Sequence, residues 1–388
     1  MDRRLLWLAV GAFATSTMAF VFAGLLPLVA ADNHVTISEA AHLVMAYSLA
    51  YAIGTPVLAT LTGAADRKRV VVGALVLFVA GNTIAATSNS FLVLTSAQIV
   101  MGMAAGLFAA TAQATAVMLA GIEHRAKAVA AVLGGTTLAV ALGAPLGSLI
   151  GNLAGWRATF LFVGLLAVLC AIVLSLMLPR GLPGVRLTLA ERMLAITRPG
   201  ILPSLVVTFL YLTGGFIIIC YMAALADGAG LPVAVLPGML LAFGIGAVAG
   251  YYASGQLADR LGATRVVVLS LLLSSAICVA LTLILHLPSA YAGPLLIGIM
   301  IPWGFIGWTF PPAQASRIVG HAPELANLTL PLNASAMYFG IALGSAIGGQ
   351  VLHVAPASEL GVVAAGFPLV ALAILFANSR RRVSLPAE

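Results

Sequence analysis

Long apolar runs separated by short polar breaks repeat along the whole chain. They fall at about 5–29, 40–62, 70–88, 92–120, 127–151, 158–178, 203–225, 233–257, 266–286, 291–312, 327–351 and 360–378. A helix needs about 20 apolar residues to cross the hydrocarbon core of a bilayer. Each run meets that requirement within a few residues, so the pattern predicts an all-α membrane protein with twelve transmembrane helices, runs 1 to 12 in chain order. Arg3 and Arg4 ahead of run 1 give it the outline of a signal peptide. Its length, however, exceeds the roughly 7–15 apolar residues of such a segment, and a retained helix is expected.

Composition agrees with this. Of 388 residues, 62% are hydrophobic and only 7% charged, against roughly 25% charged in a soluble globular chain. The net charge of +7 suggests nucleic acid only if position is ignored. No soluble basic domain, aromatic-interleaved basic surface or zinc spacing accompanies it. Counted along the twelve runs, 17 of the 18 Lys and Arg fall on one side. They are Arg3 and Arg4, Arg67 to Arg69, Arg125 and Lys127, Arg180, Arg186, Arg192 and Arg198, Arg260 and Arg265, Arg317, and Arg380 to Arg382. Only Arg157 falls opposite. By the positive-inside rule both termini are expected in the cytoplasm.

The longest connection, 179–202, is rich in Pro, Gly and Arg and splits the chain into six-helix halves, 1–178 and 203–388. Asp66-Arg67 follows run 2 and Asp259-Arg260 follows run 8, 193 residues apart against a half-length of 194. An internal duplication of six-helix units accounts for that, a layout known among transporters. Small residues recur every four positions on runs 2, 5, 8 and 11. Gly54, Gly143 and Gly147 beside Pro145, Gly250, and Gly344 lie on these stripes, which let helix backbones approach closely. Their recurrence in both halves marks them as the expected seam between halves.

The stretch Gly255-Gln256-Leu257-Ala258-Asp259-Arg260-Leu261-Gly262, with Arg265 beyond it, resembles the loop signature of the major facilitator superfamily. Gly24-Leu25-Leu26-Pro27, Gly54-Thr55-Pro56, Gly143-Ala144-Pro145-Leu146-Gly147 and Gly155-Trp156-Arg157-Ala158-Thr159-Phe160 resemble its drug/proton antiporter branch, in particular arabinose- and sugar-efflux permeases. The resemblance covers essentially the whole chain. It implies two pseudo-symmetric six-helix bundles, alternating access, and a cavity lined by runs 1, 4, 7 and 10. Three departures stand out. The first-half loop Thr62-Gly63-Ala64-Ala65-Asp66-Arg67-Lys68-Arg69 is compressed. Gln98 stands where many relatives carry an Arg, and Ala19 precedes Phe20 where relatives often carry an acid.

Asp66, Arg67 and Arg69 in one loop and Asp259, Arg260 and Arg265 in the other are expected to act as gating latches, with carboxylates meeting helix N-termini and loop arginines. All eleven Asp and Glu can be placed in or near loops. An intramembrane ion costs at least ~2.5–3.5 kcal/mol and usually marks a relay or a charged ligand. Its absence points to a neutral or amphiphilic substrate. Glu39 and His42, three apart at the outer end of run 2, are the nearest proton-coupling candidates. Phe20, Gln98, Gln113, Thr208, Tyr211, Trp303, Trp308, Gln314 and Asn333 remain for substrate recognition.

Cys170, Cys220 and Cys278 each sit in an apolar run without metal spacing, and no cofactor or metal is called for. No HExxH, GxSxG or GxxxxGK[ST] motif is present, which argues against a membrane enzyme or direct ATP drive. The expected protein is a multi-pass exporter of the bacterial inner membrane, acting as a monomer on a drug-, sugar- or nucleoside-like molecule by proton antiport. An uncoupled facilitator or importer is the alternative.

Overall fold

The computed structural model describes residues 2–184 and 188–383. Arg186 and Glu388 lie outside the described residues, as do the side chains of Glu123, Arg125 and 380–382. Among the described residues the chain is all helix and turn. Eleven helices are long and apolar enough to span a membrane, and the pair α1 (Arg3–Phe20) and α2 (Phe22–Asn33), bent by 53°, makes a twelfth. The chain forms two compact units, Met1–Leu189 with Leu236–Leu241, and Ala190–Val235 with Ala242–Glu388.

In the first unit the short turn α3 (Ile37–Ala40) leads into α4 (His42–Leu61), followed by α5 (Arg67–Thr87). The α6 run (Phe91–Leu138) is broken at Gly121, whose φ of 72° separates the fourth span from the fifth. The fifth span widens into a π-turn at Ala139–Gly143 before α7 (Ala144–Ala154). Pro145 explains the turn, because it has no N–H to give the Ala141 carbonyl four residues back. The first unit's last span is α8 (Trp156–Met177).

Run 1 differs from a single continuous helix. Val21 keeps its four-residue bonds, to the Thr17 carbonyl and from Leu25 N–H, but its carbonyl also accepts from Gly24 N–H three residues on at 3.0 Å. Gly24 and Pro27 both weaken the ladder at this point, and kinks commonly have that cause.

The second unit begins with α9 (Leu189–Leu194) and a turn through Thr197. Ala195 packs into a cluster with Ile201, Leu205, Ile318, Ala322 and Leu332, so this end of the connection is part of the second unit's core. Then follow α10 (Ile201–Ile219), α11 (Met222–Gly228), α12 (Leu236–Leu261), α13 (Ala263–Leu285), α14 (Ser289–His321), α15 (Ala326–Val354) and α16 (Glu359–Val383). Run 10 is longer than its hydropathy suggests. Arg317, expected in a loop, lies within the last turns of α14 and is buried.

The helices invert the pattern of a soluble fold. Large side chains such as Leu92, Leu153, Leu176 and Leu283 point outward, while Thr15, Ser48, Gln98, Thr208 and Gln314 are buried. That is the arrangement expected when the solvent around the spans is lipid. Each small-residue stripe is met by a helix of its own half. Gly54 faces Met103, and Gly143 and Gly147 face Thr17 and Val21. Gly250 lies against the Phe305 backbone, and Gly344 against the Thr213 carbonyl.

Candidate functional site

A polar constellation within the spans lies in the second unit. Thr208 projects from α10, Gln314 from α14 and Asn333 from α15. Thr208 Oγ1 donates to Asn333 Oδ1 at 2.7 Å. Gln314 Nε2 donates to the Ser204 carbonyl at 2.7 Å and to Thr208 Oγ1 at 3.1 Å. Its Oε1 accepts from Arg317 Nη1 at 3.1 Å. All four side chains are buried, Gln314 completely. Arg317 was not singled out in the sequence. The clue available was its spacing of three from Gln314, which puts both on one face of α14.

Aromatic residues extend this constellation along α14. Tyr211 stacks on Phe310 with centroids 3.8 Å apart, and its hydroxyl meets Ser274 Oγ at 2.9 Å. Phe243 of α12 packs edge-on against both Trp303 and Trp308. Trp303 is buried and Trp308 half-buried. Four of the nine recognition candidates, Thr208, Tyr211, Gln314 and Asn333, therefore engage one another or their immediate neighbours. Gln98, Gln113 and Phe20 belong to the first unit. Phe20 ends α1, Gln98 is completely buried and Gln113 is half-buried.

Glu39 lies in α3 and His42 opens α4. Glu39 closes a capping box, accepting from Thr36 N–H at 2.7 Å and Thr36 Oγ1 at 2.9 Å. His42 is exposed at the start of α4. Arg157, the exception to the charge rule, is held at the same end of the first unit. Its Nη1 reaches Asp32 Oδ2 at 2.6 Å, its Nη2 donates to the Ser88 carbonyl, and its guanidinium lies over the Trp156 ring. Trp156 Nε1 donates to the same carboxylate at 3.2 Å.

The two loop aspartates do different work. Asp66 is the N-cap of α5, accepting from Arg69 N–H, and it also accepts from Gly181 N–H of the long connection. Arg67 N–H donates to the Leu182 carbonyl at 3.1 Å, so residues 181–184 lie along this loop. Asp259 instead sits inside α12, exposed, three residues ahead of Gly262, which is the N-cap of α13. Arg69, Arg260 and Arg265 are exposed and Arg67 is half-buried.

Partial burial raises the Asp66 pKa, but the backbone N–H groups of Gly181, Arg69, Lys68 and Leu182 outweigh it and hold the carboxyl below its ordinary value of 3.8. A depressed folded pKa means the docking is fully present above the unfolded value and is lost as the pH falls through the folded one. Docking of residues 181–184 is thus expected to be constant through neutral pH and to fail only below about pH 4. Asp66→Ala removes it at pH 8, and trypsin should then cleave after Arg180 several-fold faster than in the wild type.

Among the described residues no group of three or more His, Cys, Asp or Glu could hold a metal.

Residues 8–345 match the family model described as Major Facilitator Superfamily. An uncharacterized MFS-type transporter of Bacillus subtilis, YbcL, is 31% identical over 97% of this chain and 96% of its own length. The inner membrane transport protein YdhP of Escherichia coli is 28% identical over 97% and 96%. A chloramphenicol resistance protein of Streptomyces lividans is 29% identical over 95% and 88%. The crystal structure of the human organic anion transporter MFSD10 superposes with a TM-score of 0.72 over 96% of this chain and 99% of that one, at 16% identity.

Proposed function

The chain belongs to the Major Facilitator Superfamily, whose members are membrane transporters and not enzymes, and on that premise we propose that it exports a neutral or amphiphilic small molecule across the bacterial inner membrane. The substrate is drug-, sugar- or nucleoside-like. Export runs by alternating access with proton antiport, the monomer is the working unit, and the Arg-rich end faces the cytoplasm.

The observation that carries this reading is the character of the buried polar groups in the second unit. Thr208, Gln314 and Asn333 are neutral hydrogen-bonding side chains, the buried Arg317 beside them donates to Gln314 Oε1, and α10 and α14 also carry the aromatic residues Tyr211, Phe310, Trp303 and Trp308. Aromatic faces with a few amides suit an uncharged solute with apolar area. The Streptomyces relative, named for chloramphenicol resistance, supports outward transport of a drug. Glu39 and His42 are the proposed proton carriers. Protonation of Glu39 would weaken its charge-assisted bonds to Thr36 and loosen the start of α4.

The test uses purified protein in liposomes loaded with a pH-sensitive dye, an imposed pH gradient, and sugars, nucleosides and chloramphenicol as solutes. Solute-dependent proton movement that is lost in Glu39→Gln or His42→Ala is the expected result. Solute flux with no proton movement makes the protein an uncoupled facilitator. That second reading is favoured by the position of Glu39, whose carboxylate is exposed in a helix cap rather than buried in a span. If no solute moves, the export reading fails.

A further inference from the structure

Glycines on the helices of the second unit are of two kinds. A Cβ at Gly214, Gly340 or Gly344 would meet a carbonyl oxygen of another helix. Gly215 on α10 and Gly307 on α14 have nothing within 4 Å of that position. Both are half-buried, on faces where Tyr211 and Ile219, and Trp303 and Phe310, are buried.

Side-chain contacts fix how α10 and α14 face each other. Gln314 reaches Thr208, and Phe310 stacks on Tyr211, so one turn forward on α10 matches one turn back on α14. The next turn brings Gly215 to the level of Gly307. The Tyr211 hydroxyl, which reaches the Gly307 carbonyl at 3.4 Å, fixes that level directly. The pairs Thr208–Gln314 and Tyr211–Phe310 hold the helices a side chain apart, and the adjoining level supplies two glycines with open space at each. The outcome is a notch bordered by the Tyr211–Phe310 stack.

Covalent chemistry frees the Gly307 carbonyl at this notch. In an α-helix it would accept from the N–H of residue 311, but Pro311 has none, and neither has Pro312 beyond it. Its contact with Tyr211 Oη is longer than an ordinary O–H···O bond of about 2.7–2.8 Å. The same hydroxyl is shared with Ser274 Oγ at 2.9 Å. A carbonyl has two lone pairs, so Gly307 keeps capacity for a stronger donor. We propose that the notch is a subsite for a ring or short apolar arm carrying a hydroxyl or amide N–H, which lies beside the Tyr211–Phe310 stack and donates to the Gly307 carbonyl.

Charge and hydrogen bonding select this occupant. Tyr211, Ser274 and Phe310, which border the notch, are uncharged, so it suits a neutral group. An ether of the same shape fits the space but leaves the carbonyl unmet, and a site built to pair a hydroxyl discriminates against the analogue lacking it. That the occupant is the transported cargo rests on the export reading, while the notch itself does not. Pro302 repeats the four-residue spacing with Gly298, which is also open at its Cβ but exposed. Gly298 is therefore the internal control.

Saturation-transfer NMR on the full-length protein in detergent, with benzyl alcohol and benzyl methyl ether as probes, tests this. The wild type is expected to bind the alcohol several-fold more tightly than the ether. Pro311→Ala returns an N–H to the Gly307 carbonyl and should abolish that preference while ether binding persists. Gly215→Leu fills the notch from α10 and should weaken both probes, its remaining signal measuring uptake by the detergent. Gly298→Leu should change neither. Equal affinity of the wild type for the two probes overturns the inference, as does a preference that survives Pro311→Ala. If Gly215→Leu does not fold, Pro311→Ala decides alone. In the liposome assay, a solute moved by the wild type should move several-fold more slowly in Gly215→Leu. Undiminished movement there overturns the notch as a cargo site and leaves the export reading standing. No movement of any solute, with the alcohol preference intact and lost in Pro311→Ala, ends the export reading and leaves the notch.

Discussion

Replacing Gly250 with Leu is expected to abolish recovery of folded protein, and Gly250→Ala to lower its stability by about 2–3 kcal/mol, near the upper end for over-packing. The reason lies in what a Cβ would meet. At Gly250 the three nearest atoms are the carbonyl oxygen, carbonyl carbon and Cα of Phe305. Gly246 meets the Ile301 carbonyl in the same way, and Gly304 of α14 meets the Phe243 carbonyl of α12. Backbone cannot rotate aside, so α12 and α14 must separate along their whole contact. In lipid that contact rests on close packing rather than on exclusion of water. At Gly11 the obstruction is the far edge of the Phe108 ring, which can turn, and Gly11→Ala should cost less. Gly298 has nothing within 4 Å of a Cβ. There Ala should be neutral or better, since it gains roughly 1 kcal/mol of helix propensity. Thermal unfolding in detergent, following the order Gly250, Gly11, Gly298, checks the series. A Gly250→Ala variant as stable as Gly298→Ala would refute it.

These close contacts also show which features were readable from the chain alone. Span number is a local property, so counting apolar runs located twelve crossings, the same total that α1 and α2 complete when taken as one bent span. The break at Val21 was not readable, because Ala19, Phe20, Val21 and Phe22 are all apolar and hydropathy is blind to a shifted ladder. The end of α14 was placed short of His321 because Arg317 looks like loop punctuation. Its guanidinium is instead buried against Gln314. The four-residue glycine spacing was visible, but spacing does not say which helix fills the stripe. The exceptional Arg157 illustrates the same limit. Its partner Asp32 stands 125 residues upstream, and only the folded chain brings the pair together. Asp66 and Asp259 look equivalent in sequence and differ in structure, because one caps a helix and the other lies ahead of a glycine cap. Residue types at the candidate site were legible, and their pairing was not.

That pairing gives the other large effect. Gln314→Leu removes two donated bonds, to Ser204 and Thr208, and one bond accepted from a cationic guanidinium. Neutral bonds contribute about 0.5–1.5 kcal/mol each and bonds to charged groups about 1.5–3. The Ser204 carbonyl and Thr208 hydroxyl retain each other as partners, which limits the loss to about 3 kcal/mol. For a unit of this size that corresponds to roughly 6–12 °C in melting temperature. Thr208→Val should cost about 1–2 kcal/mol, since it breaks the bonds to Asn333 and Gln314 while preserving shape. The two losses overlap, because the Gln314–Thr208 bond is counted in both. The double variant is therefore expected to fall short of additivity by about 1 kcal/mol. Strict additivity would mean that α10, α14 and α15 are held by packing alone, with Gln314 and Thr208 acting independently. A coupled result would make the Thr208–Gln314–Asn333 constellation one unit that fixes α14 and α15 against α10, so that a solute competing for any one of these groups would loosen all three helices together.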